Sequence, residues 1–228
     1  MLRFDRVEVR QGDFVLRADF AVAPGVITAV VGPSGSGKST LLGAAAGFMP
    51  LSAGRVFVGE DDVTNLPPGE RPVSVVFQDG NLFPHLDIAT NVALGLHPSG
   101  RLTRDILSAV EGALKRVGLE DFGGRRPSEL SGGQQSRAAL ARALLRESPL
   151  VLLDEPFAAL GPALRAGMLA LVAEVFAGRT VLVVTHAPED ARAVAAETIF
   201  VDAGFAAQPV PTDALFNDPP PGLKDYLG

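Results

Sequence analysis

Apolar residues along this chain form short runs, which polar, glycine-rich or proline-rich segments separate. Residues 2–22 alternate imperfectly between apolar and polar positions, which predicts two antiparallel strands with a turn near residues 11–13. Residues 54–59 are predicted to form an edge strand. Continuous aliphatic and β-branched runs predict four buried strands, at residues 26–31, 73–77, 150–153 and 180–184.

Helical spacing of apolar residues appears between these runs. After Thr103, apolar residues recur every three or four positions as far as Gly118, which is expected to cap the helix; they are Ile106, Leu107, Val110, Leu114 and Val117. Residues 133–146 are also predicted to be helical, and Pro162 is expected in the first turn of another helix. The buried face of that helix is predicted to comprise Leu164, Met168, Leu171, Val172 and Val175.

The alternation of strands and helices predicts an α/β fold with a mainly parallel sheet and ligands at the carboxyl ends of its strands. We expect a single domain over residues 1–228. Its α/β core, at about 1–83 and 148–228, is interrupted by a helical subdomain at about 84–147. The proline-rich residues 218–221 are expected to begin a short tail.

Composition narrows the class of protein. The chain has 228 residues, of which 47% are hydrophobic, yet no apolar run approaches the roughly 20 residues that span a bilayer. The charged first residues predict no signal peptide, and the absence of cysteine excludes disulfides and thiolate metal sites, so the cytosol is the expected compartment. A net charge of −6 argues against a nucleic-acid partner.

The most informative stretch is Gly32-Pro33-Ser34-Gly35-Ser36-Gly37-Lys38-Ser39-Thr40, which fits the phosphate-binding pattern G-x-x-x-x-G-K-[ST]. A predicted strand precedes it and a predicted helix follows it, so backbone N–H groups and a helix N-terminus would face an anion. Lys38 can reach the β- and γ-phosphates, and the Ser39 hydroxyl can bind Mg²⁺. The alternative is an ordinary glycine turn, which the flanking strand and helix disfavour. The chain is therefore predicted to bind a nucleoside triphosphate.

Polar residues follow three other predicted strands. Asp154 and Glu155 come directly after an apolar strand, where Asp154 can hold Mg²⁺ and Glu155 can polarise an attacking water. Gln78 and His186 also end strands, so all of these side chains can converge at one edge of the sheet. A solvated strand end is the alternative for each of them, and their position after a phosphate loop favours a joint site.

Between these elements lies Leu130-Ser131-Gly132-Gly133-Gln134. Ser131 is expected to cap a helix and, with the following N–H groups, to form a second anion site; a simple glycine-rich helix start is the alternative. This stretch resembles the signature of ATP-binding cassette (ABC) proteins, and the other motifs follow in the order of that family. The resemblance implies an ABC nucleotide-binding domain, with a RecA-like mainly parallel core, an N-terminal antiparallel β subdomain and an inserted helical subdomain.

The resemblance also implies roles for individual residues. Gln78 would be the Q-loop residue and a ligand of Mg²⁺ beside Ser39 and Asp154, Glu155 the catalytic base, and His186 the switch histidine that acts with Lys38. Residues 131–134 of one subunit would close over ATP held by residues 32–40 of another, in a head-to-tail homodimer.

Residues 67–86 and 91–96, together with Gly47-Phe48 and the chain's length, look like the ATP-binding subunits of bacterial thiamine importers. This likeness implies an ATPase on the cytoplasmic face of the inner membrane, with transmembrane permease subunits as partners and, indirectly, a periplasmic substrate-binding protein. Residues 78–96 would link the site to the permease. Apolar Leu82, Phe83, Leu86 and Ile88 are expected either to dock there or to form a core. Three alternatives remain. The chain could belong to an importer of iron, polyamines or sulfate, it could be a soluble cassette protein that acts on nucleic acid or ribosomes, or it could bind ATP without turnover.

Three positions depart from the family pattern. Gln11 occupies the place of the aromatic residue that stacks on adenine, and Phe14 is expected either to substitute for it or to lie in the core. The usual Ser-Ala-Leu-Asp that contacts the partner subunit is Ala158-Ala159-Leu160-Gly161, and the Gln-Arg pair after the signature is Ser136-Arg137. These departures concern adenine affinity and coupling between subunits.

Overall fold

The structure is a computed structural model, and it describes residues 1–78, 80–158 and 160–227. The chain divides into two compact units. The first contains Met1–Val73, Pro149–Asp154 and the chain from Gly178 onwards, and the second contains Ser74–Ser148 and Glu155–Ala177. Among the described residues, no helix has both the length and the apolar character needed to cross a lipid bilayer.

The secondary structure follows the predicted alternation of strands and helices. The strands are β1 (Leu2–Gln11), β2 (Phe14–Val22), β3 (Ile27–Val31), β4 (Ala53–Val58), β5 (Asp61–Asp62), β6 (Val73–Val76), β7 (Leu150–Asp154), β8 (Thr180–Val184), β9 (Glu197–Asp202), β10 (Phe205–Ala206) and β11 (Val210–Pro211). The helices are α1 (Lys38–Ala46), α2 (Ile88–Ala93), α3 (Arg104–Arg116), α4 (Gly132–Leu145), α5 (Pro162–Val175), α6 (Pro188–Val194), α7 (Thr212–Asn217) and α8 (Pro221–Leu227), with a short 3-10 helix at Pro127–Glu129.

The strands of the first unit follow one another in the order β5-β4-β1-β2-β10-β9-β3-β8-β7. β9, β3, β8 and β7 are parallel and almost entirely buried. The continuous apolar runs of β3, β8 and β7 predict this, whereas β9 lies outside the predicted strands. β1, β2, β4 and β5 are antiparallel. The fold class is therefore the predicted one, a mainly parallel α/β core with an antiparallel N-terminal part.

One strand differs from the prediction. β4 was expected at the edge of the sheet, but it pairs with β1 on one side and with the two-residue strand β5 on the other. Both residues of β5 are exposed aspartates, and no hydrophobic pattern marks so short an acidic strand. Charged side chains on a short outer strand discourage pairing with another chain, which suits β5 to the edge.

In the second unit, α3 has the predicted ends. Thr103 caps it, because its hydroxyl accepts a hydrogen bond from the Ile106 N–H at 3.4 Å. At the other end Gly118 has φ +69°, and the N–H of Leu119 donates to the Leu114 carbonyl at 2.8 Å. A left-handed glycine with this hydrogen bond is the usual way to satisfy the last carbonyls of a helix.

Two leucines lie outside their predicted buried faces. Leu107 in α3 is 39% exposed and Leu164 in α5 is 59% exposed, whereas Val110 and Met168, one turn further along each helix, are buried. In both helices these leucines lie in the first turn, ahead of the residues that are buried. Spacing identifies the face of a helix but not how far along the helix the packing reaches.

The prediction of a short tail that begins at residues 218–221 is wrong in part. Residues 221–227 form α8, and its Leu223 is fully buried. Gly222 lies against β9, because a Cβ atom there would be 2.7 Å from the Asp202 carboxylate. Three prolines predicted an irregular end, but Pro221 instead occupies the first helical position, which it suits.

Candidate functional site

The phosphate-binding stretch is the turn between β3 and α1. Gly32, Gly35 and Gly37 have φ values of +151°, +77° and +111°. At Gly32 a Cβ atom would lie 2.0 Å from the Val201 carbonyl oxygen, so the backbone has room only for glycine. Gly37 precedes α1 directly and caps it without a side-chain hydrogen bond. A helix start of this kind presents its first N–H groups and the positive end of the helix dipole to an anion.

Lys38 reaches back over this turn. Its side chain is largely buried, and its ammonium group donates hydrogen bonds to the carbonyl oxygens of Gly32 and Pro33, both at 2.8 Å. The Ser36 hydroxyl oxygen is buried and has no hydrogen-bond partner among the described residues. A buried polar atom of this kind normally finds a partner, and a phosphate oxygen would supply one.

Ser39 and Asp154 come together across the first unit. The Ser39 hydroxyl donates to Oδ1 of Asp154 at 3.3 Å. β3, β8 and β7 are consecutive parallel neighbours, so the end of β7 at Asp154 lies at the same sheet edge as the turn after β3. A hydroxyl and a carboxylate are hard oxygen donors, the chemistry that Mg²⁺ selects.

His186 follows β8 at this same edge. Its side chain is exposed, and the main chain around it is held by Thr185. The Thr185 hydroxyl donates to Oδ2 of Asp190 at 2.9 Å and accepts from the Ala187 N–H at 3.1 Å. The structure therefore brings residues 32–40, Asp154 and His186 to one edge of the first unit, as predicted for parallel strands.

The remaining predicted site residues belong to the second unit. Gln78 is exposed and follows β6 in a turn that the Gly80 N–H closes on the Phe77 carbonyl at 2.9 Å. Arg142 of α4 holds this turn, because its guanidinium donates to the carbonyls of Gly80 and Asn81 at 2.9 and 2.7 Å. Asp79 lies outside the described residues.

Ser131 caps α4 as predicted. Its hydroxyl accepts from the Gln134 N–H at 3.4 Å, and the Gln134 side chain accepts from the Ser131 N–H at 2.9 Å. This reciprocal pair fixes the helix start. Gly132 and Gly133 form the first turn of α4, where no atom of the described chain lies within 4 Å of a Cβ built on Gly132. The glycines therefore leave the helix N-terminus open.

Glu155 has a left-handed backbone, with φ +45°. A non-glycine residue in this region is uncommon and costs about 1–3 kcal/mol, and such residues cluster at active sites. The Ala158 N–H donates to the Glu155 carbonyl at 3.2 Å, which closes the turn behind it. The conformation marks a tight turn directly after β7, and Ala203 after β9 has a similar φ of +43°.

Comparison with known proteins decides the family. A family model described as ABC transporter matches residues 15–158. The chain belongs to the ABC transporter family.

Relatives of this ABC chain share its whole length. It is 58% identical to the thiamine import ATP-binding protein ThiQ of Cereibacter sphaeroides and 51% identical to that of Ruegeria sp., with full coverage of both chains in each case. The ThiQ protein of Brucella suis is 48% identical over all of this chain and 95% of its own length.

Solved structures agree with the family. A dimeric ATP-binding cassette in a post-hydrolysis state bound to ADP and Pi matches with a TM-score of 0.81 and 29% identity, over 93% of this chain and 99% of that one. A dimeric bacterial ABC transporter cassette matches with a TM-score of 0.80. The predicted ABC fold is thereby confirmed.

Near the phosphate loop this ABC cassette carries an unusual pair of residues. Gln11 is exposed at the end of β1, where its side chain accepts a hydrogen bond from the Thr40 hydroxyl at 3.3 Å and donates to Sδ of Met49 at 3.4 Å. Phe14 is half-buried, and a Cβ atom on Gly37 would lie 2.9 Å from its ring. Phe14 thus packs directly against the phosphate loop.

The stretch after Glu155 leads into α5. Gly161 is the residue that precedes the helix, with φ −64° and ψ 160°, and Pro162 follows at the first helical position as predicted. The Leu160 N–H donates to the Phe157 carbonyl at 3.0 Å. Ala159 lies outside the described residues. After the signature, the Ser136 hydroxyl donates to the Gly132 carbonyl at 3.1 Å and Arg137 to the Val117 carbonyl at 3.4 Å.

Residues 82–88 form turns around one buried amide. The Asn91 side chain accepts from the Phe83 N–H at 2.7 Å and donates to the Phe83 and Leu86 carbonyls at 3.0 and 3.2 Å. Ile88 is buried in the second unit, Leu82 and Leu86 are half-buried, and Phe83 is 47% exposed. Ile88 therefore belongs to the core, and Phe83 is the apolar side chain that reaches solvent.

Arg71 has a structural role that the sequence did not predict. This buried side chain donates to the Ala44 and Ala45 carbonyls at the end of α1, at 2.8 and 2.9 Å, and to those of Leu66 and Thr64 at 2.9 and 3.0 Å. Burial lowers the pKa of Arg71 from its ordinary value. The available signal was its place in the proline-rich stretch that resembles thiamine importers.

Proposed function

We propose that this chain is the ATP-hydrolysing subunit of a bacterial thiamine importer. The observation that carries the proposal is the full-length identity of 58% with a thiamine import ATP-binding protein, joined to a phosphate loop with the geometry described above. The remaining steps assign the chemistry to residues.

Residues 32–40 would hold the triphosphate. The N–H groups at the start of α1 and the buried Ser36 hydroxyl supply donors, and the Lys38 ammonium, now held by the loop carbonyls, supplies a positive charge. Ser39 and Asp154 fit Mg²⁺ because their oxygens lie 3.3 Å apart, and Gln78 is the third proposed ligand. When bound, the cation neutralises charge that develops on the phosphate oxygens.

Hydrolysis would need a base and a residue that steadies the reacting phosphate. Glu155 can accept a proton from the attacking water, and the strained backbone at this residue would aim its carboxylate. His186, at the carboxyl end of β8, would contact the terminal phosphate beside Lys38. The proposed site therefore uses charge and positioning and needs no covalent intermediate.

The proposed assembly is a head-to-tail homodimer attached to transmembrane permease subunits at the cytoplasmic face of the inner membrane. The open helix start at Ser131, Gly132, Gly133 and Gln134 would close over ATP in the other subunit. In this proposal residues 84–147 form a helical subdomain in a single domain over 1–228. Residues 80–96, with exposed Phe83, would contact the permease, and a periplasmic protein would deliver thiamine.

The decisive experiment replaces Glu155 with Gln. The amide keeps the size of the side chain but cannot accept a proton, so ATP binding should persist, hydrolysis should fall at least about a hundredfold, and an ATP-bound dimer should accumulate. Glu120→Gln, a change of an exposed glutamate in the second unit, is the matched control and should hydrolyse ATP as wild type does. Turnover of Glu155→Gln within about tenfold of wild type would show that Glu155 is not the base.

A second measurement tests the substrate. Uptake of labelled thiamine is compared in cells that express the permease with either wild-type chain or Glu155→Gln. Loss of thiamine uptake together with loss of hydrolysis supports the proposal. Thiamine uptake that continues after hydrolysis has been abolished contradicts it, and uptake of iron, polyamines and sulfate is then measured in the same cells.

A further inference from the structure

We propose that Tyr226 positions the His186 loop for ATP hydrolysis. The Tyr226 hydroxyl of α8 donates a hydrogen bond to the carbonyl oxygen of His186. Forty residues separate the two, and both belong to the first unit. The inference rests on the proposed function, because it concerns the residue proposed to contact the terminal phosphate.

The loop that carries His186 is held on both sides. On the strand side, the Thr185 N–H donates to the Val30 carbonyl of β3 at 3.1 Å. On the helix side, the Thr185 hydroxyl bridges Asp190 and the Ala187 N–H at 2.9 and 3.1 Å. These contacts fix the residues before and after His186. The Tyr226 hydroxyl holds the carbonyl of residue 186 itself.

The helix that presents Tyr226 packs into the first unit through one buried side chain. Leu223 is fully buried, and its N–H donates to the Pro220 carbonyl at 2.9 Å. Next to it, a Cβ atom built on Gly222 would lie 2.7 Å from a carboxylate oxygen of Asp202, the last residue of β9. A donor on a fixed helix defines where the His186 carbonyl lies, whereas a water molecule in its place would not.

The consequence concerns rate more than binding. His186 is exposed, so losing the Tyr226 hydroxyl removes one of the contacts that restrict this loop, and the loop would sample more positions. A side chain that stabilises the reacting phosphate must be placed within a fraction of an ångström, and misplacement lowers kcat. ATP affinity depends mainly on residues 32–40, whereas the Tyr226 hydroxyl holds the loop of His186.

The test uses Tyr226→Phe in the full-length chain assembled with its permease. This variant keeps the ring and removes only the donor. We expect kcat to fall about three- to tenfold, the loss that one hydrogen bond of ordinary strength gives, with KM for ATP unchanged within twofold. Lys224→Ala, at an exposed position of the same helix, is the matched control and should keep the wild-type kcat.

Hydrogen exchange gives an independent measurement. In Tyr226→Phe without nucleotide, amides of residues 184–190 should exchange faster than in wild type, while amides of α1 should not change. A kcat within twofold of wild type, or unchanged exchange at residues 184–190, overturns the inference.

A comparison with His186→Ala separates this inference from the proposed function. If His186→Ala hydrolyses ATP as fast as wild type, the role proposed for His186 is wrong. If His186→Ala loses turnover and Tyr226→Phe keeps it, only the positioning role of Tyr226 fails. When both are right, adding Tyr226→Phe to His186→Ala lowers kcat no further, because the two residues act as a unit.

Discussion

The Ser39 hydroxyl donates a hydrogen bond to Oδ1 of Asp154 at 3.3 Å, although 115 residues separate the two in the chain. Ser39 lies in the first turn of the helix after the phosphate loop, and Asp154 ends a parallel strand two places along the sheet. Parallel strand order thus joins two motifs that the sequence presents far apart.

Ser39→Ala tests whether this pair binds Mg²⁺. Because the alanine side chain removes one hard oxygen ligand, affinity for ATP in the presence of Mg²⁺ should fall about tenfold or more, whereas affinity in excess EDTA should change little. Calorimetric titration with ATP under both conditions measures this. An equal loss of affinity with and without Mg²⁺ would instead place Ser39 on the phosphate alone.

Arg71→Met tests the support beneath the phosphate-loop helix. Methionine fills the space but leaves buried carbonyls at the end of α1 without donors, so the free energy of unfolding should fall by about 2–4 kcal/mol. Denaturant unfolding measures the loss. The neighbouring exposed residue provides the control: Glu70→Ala should shift stability by less than about 0.5 kcal/mol. Equal stabilities of the two variants would show that water replaces the guanidinium freely.

Local patterns were sufficient for much of this fold. The strand, glycine turn and helix around Lys38 were predictable because the motif has a fixed residue pattern between a strand and a helix, and the cap at Ser131 was predictable because its hydrogen bonds are local. The apolar runs of β3, β8 and β7 predicted buried parallel strands, but only the structure shows their order in the sheet.

Features that depend on distant contacts were not predictable. Nothing in the apolar pattern placed Arg71 under the end of α1, since its four acceptors are backbone carbonyls that carry no sequence signal. The proline-rich residues 218–221 predicted an irregular tail, but α8 begins at Pro221 and buries Leu223 in the first unit. Leu164 has helical spacing yet lies in a turn that the packing does not reach.

Phe14→Ala tests the two roles expected for this ring. Because Phe14 is half-buried against Gly37, its loss should lower apo stability by about 1–3 kcal/mol, less than the cost at a fully buried phenylalanine. The preference for ATP over GTP should stay as weak as in wild type, since Gln11 offers no aromatic surface for stacking. Thermal unfolding and competition titrations measure the two effects. Unchanged apo stability with a clear loss of ATP affinity would make Phe14 the adenine contact.

Gly161→Asp restores the carboxylate that the family pattern has at this position. The backbone there, φ −64° and ψ 160°, suits any residue, and no atom of the described chain lies within 4 Å of a Cβ built on Gly161. Gly161 precedes α5 without a side-chain cap, and aspartate is a strong cap. The lost freedom of glycine adds to the gain, so stability should rise by about 0.5–1 kcal/mol and the melting temperature by about 1–4 °C.

The same variant should act on coupling between subunits. With Lys38, Glu155 and His186 unchanged, ATP affinity of the monomer should stay constant, while cooperativity in ATP or basal turnover of the assembled complex should rise. Gly161→Ala is the matched control: it restricts the backbone equally but adds no carboxylate and caps poorly, so it should raise stability less than Gly161→Asp does and leave cooperativity unchanged. Hill coefficients and rates are measured for all three proteins with their permease. Helix capping acts within one chain, whereas coupling needs two subunits. If Gly161→Asp is more stable but no more cooperative than wild type, the carboxylate only caps α5 and the coupling prediction is wrong.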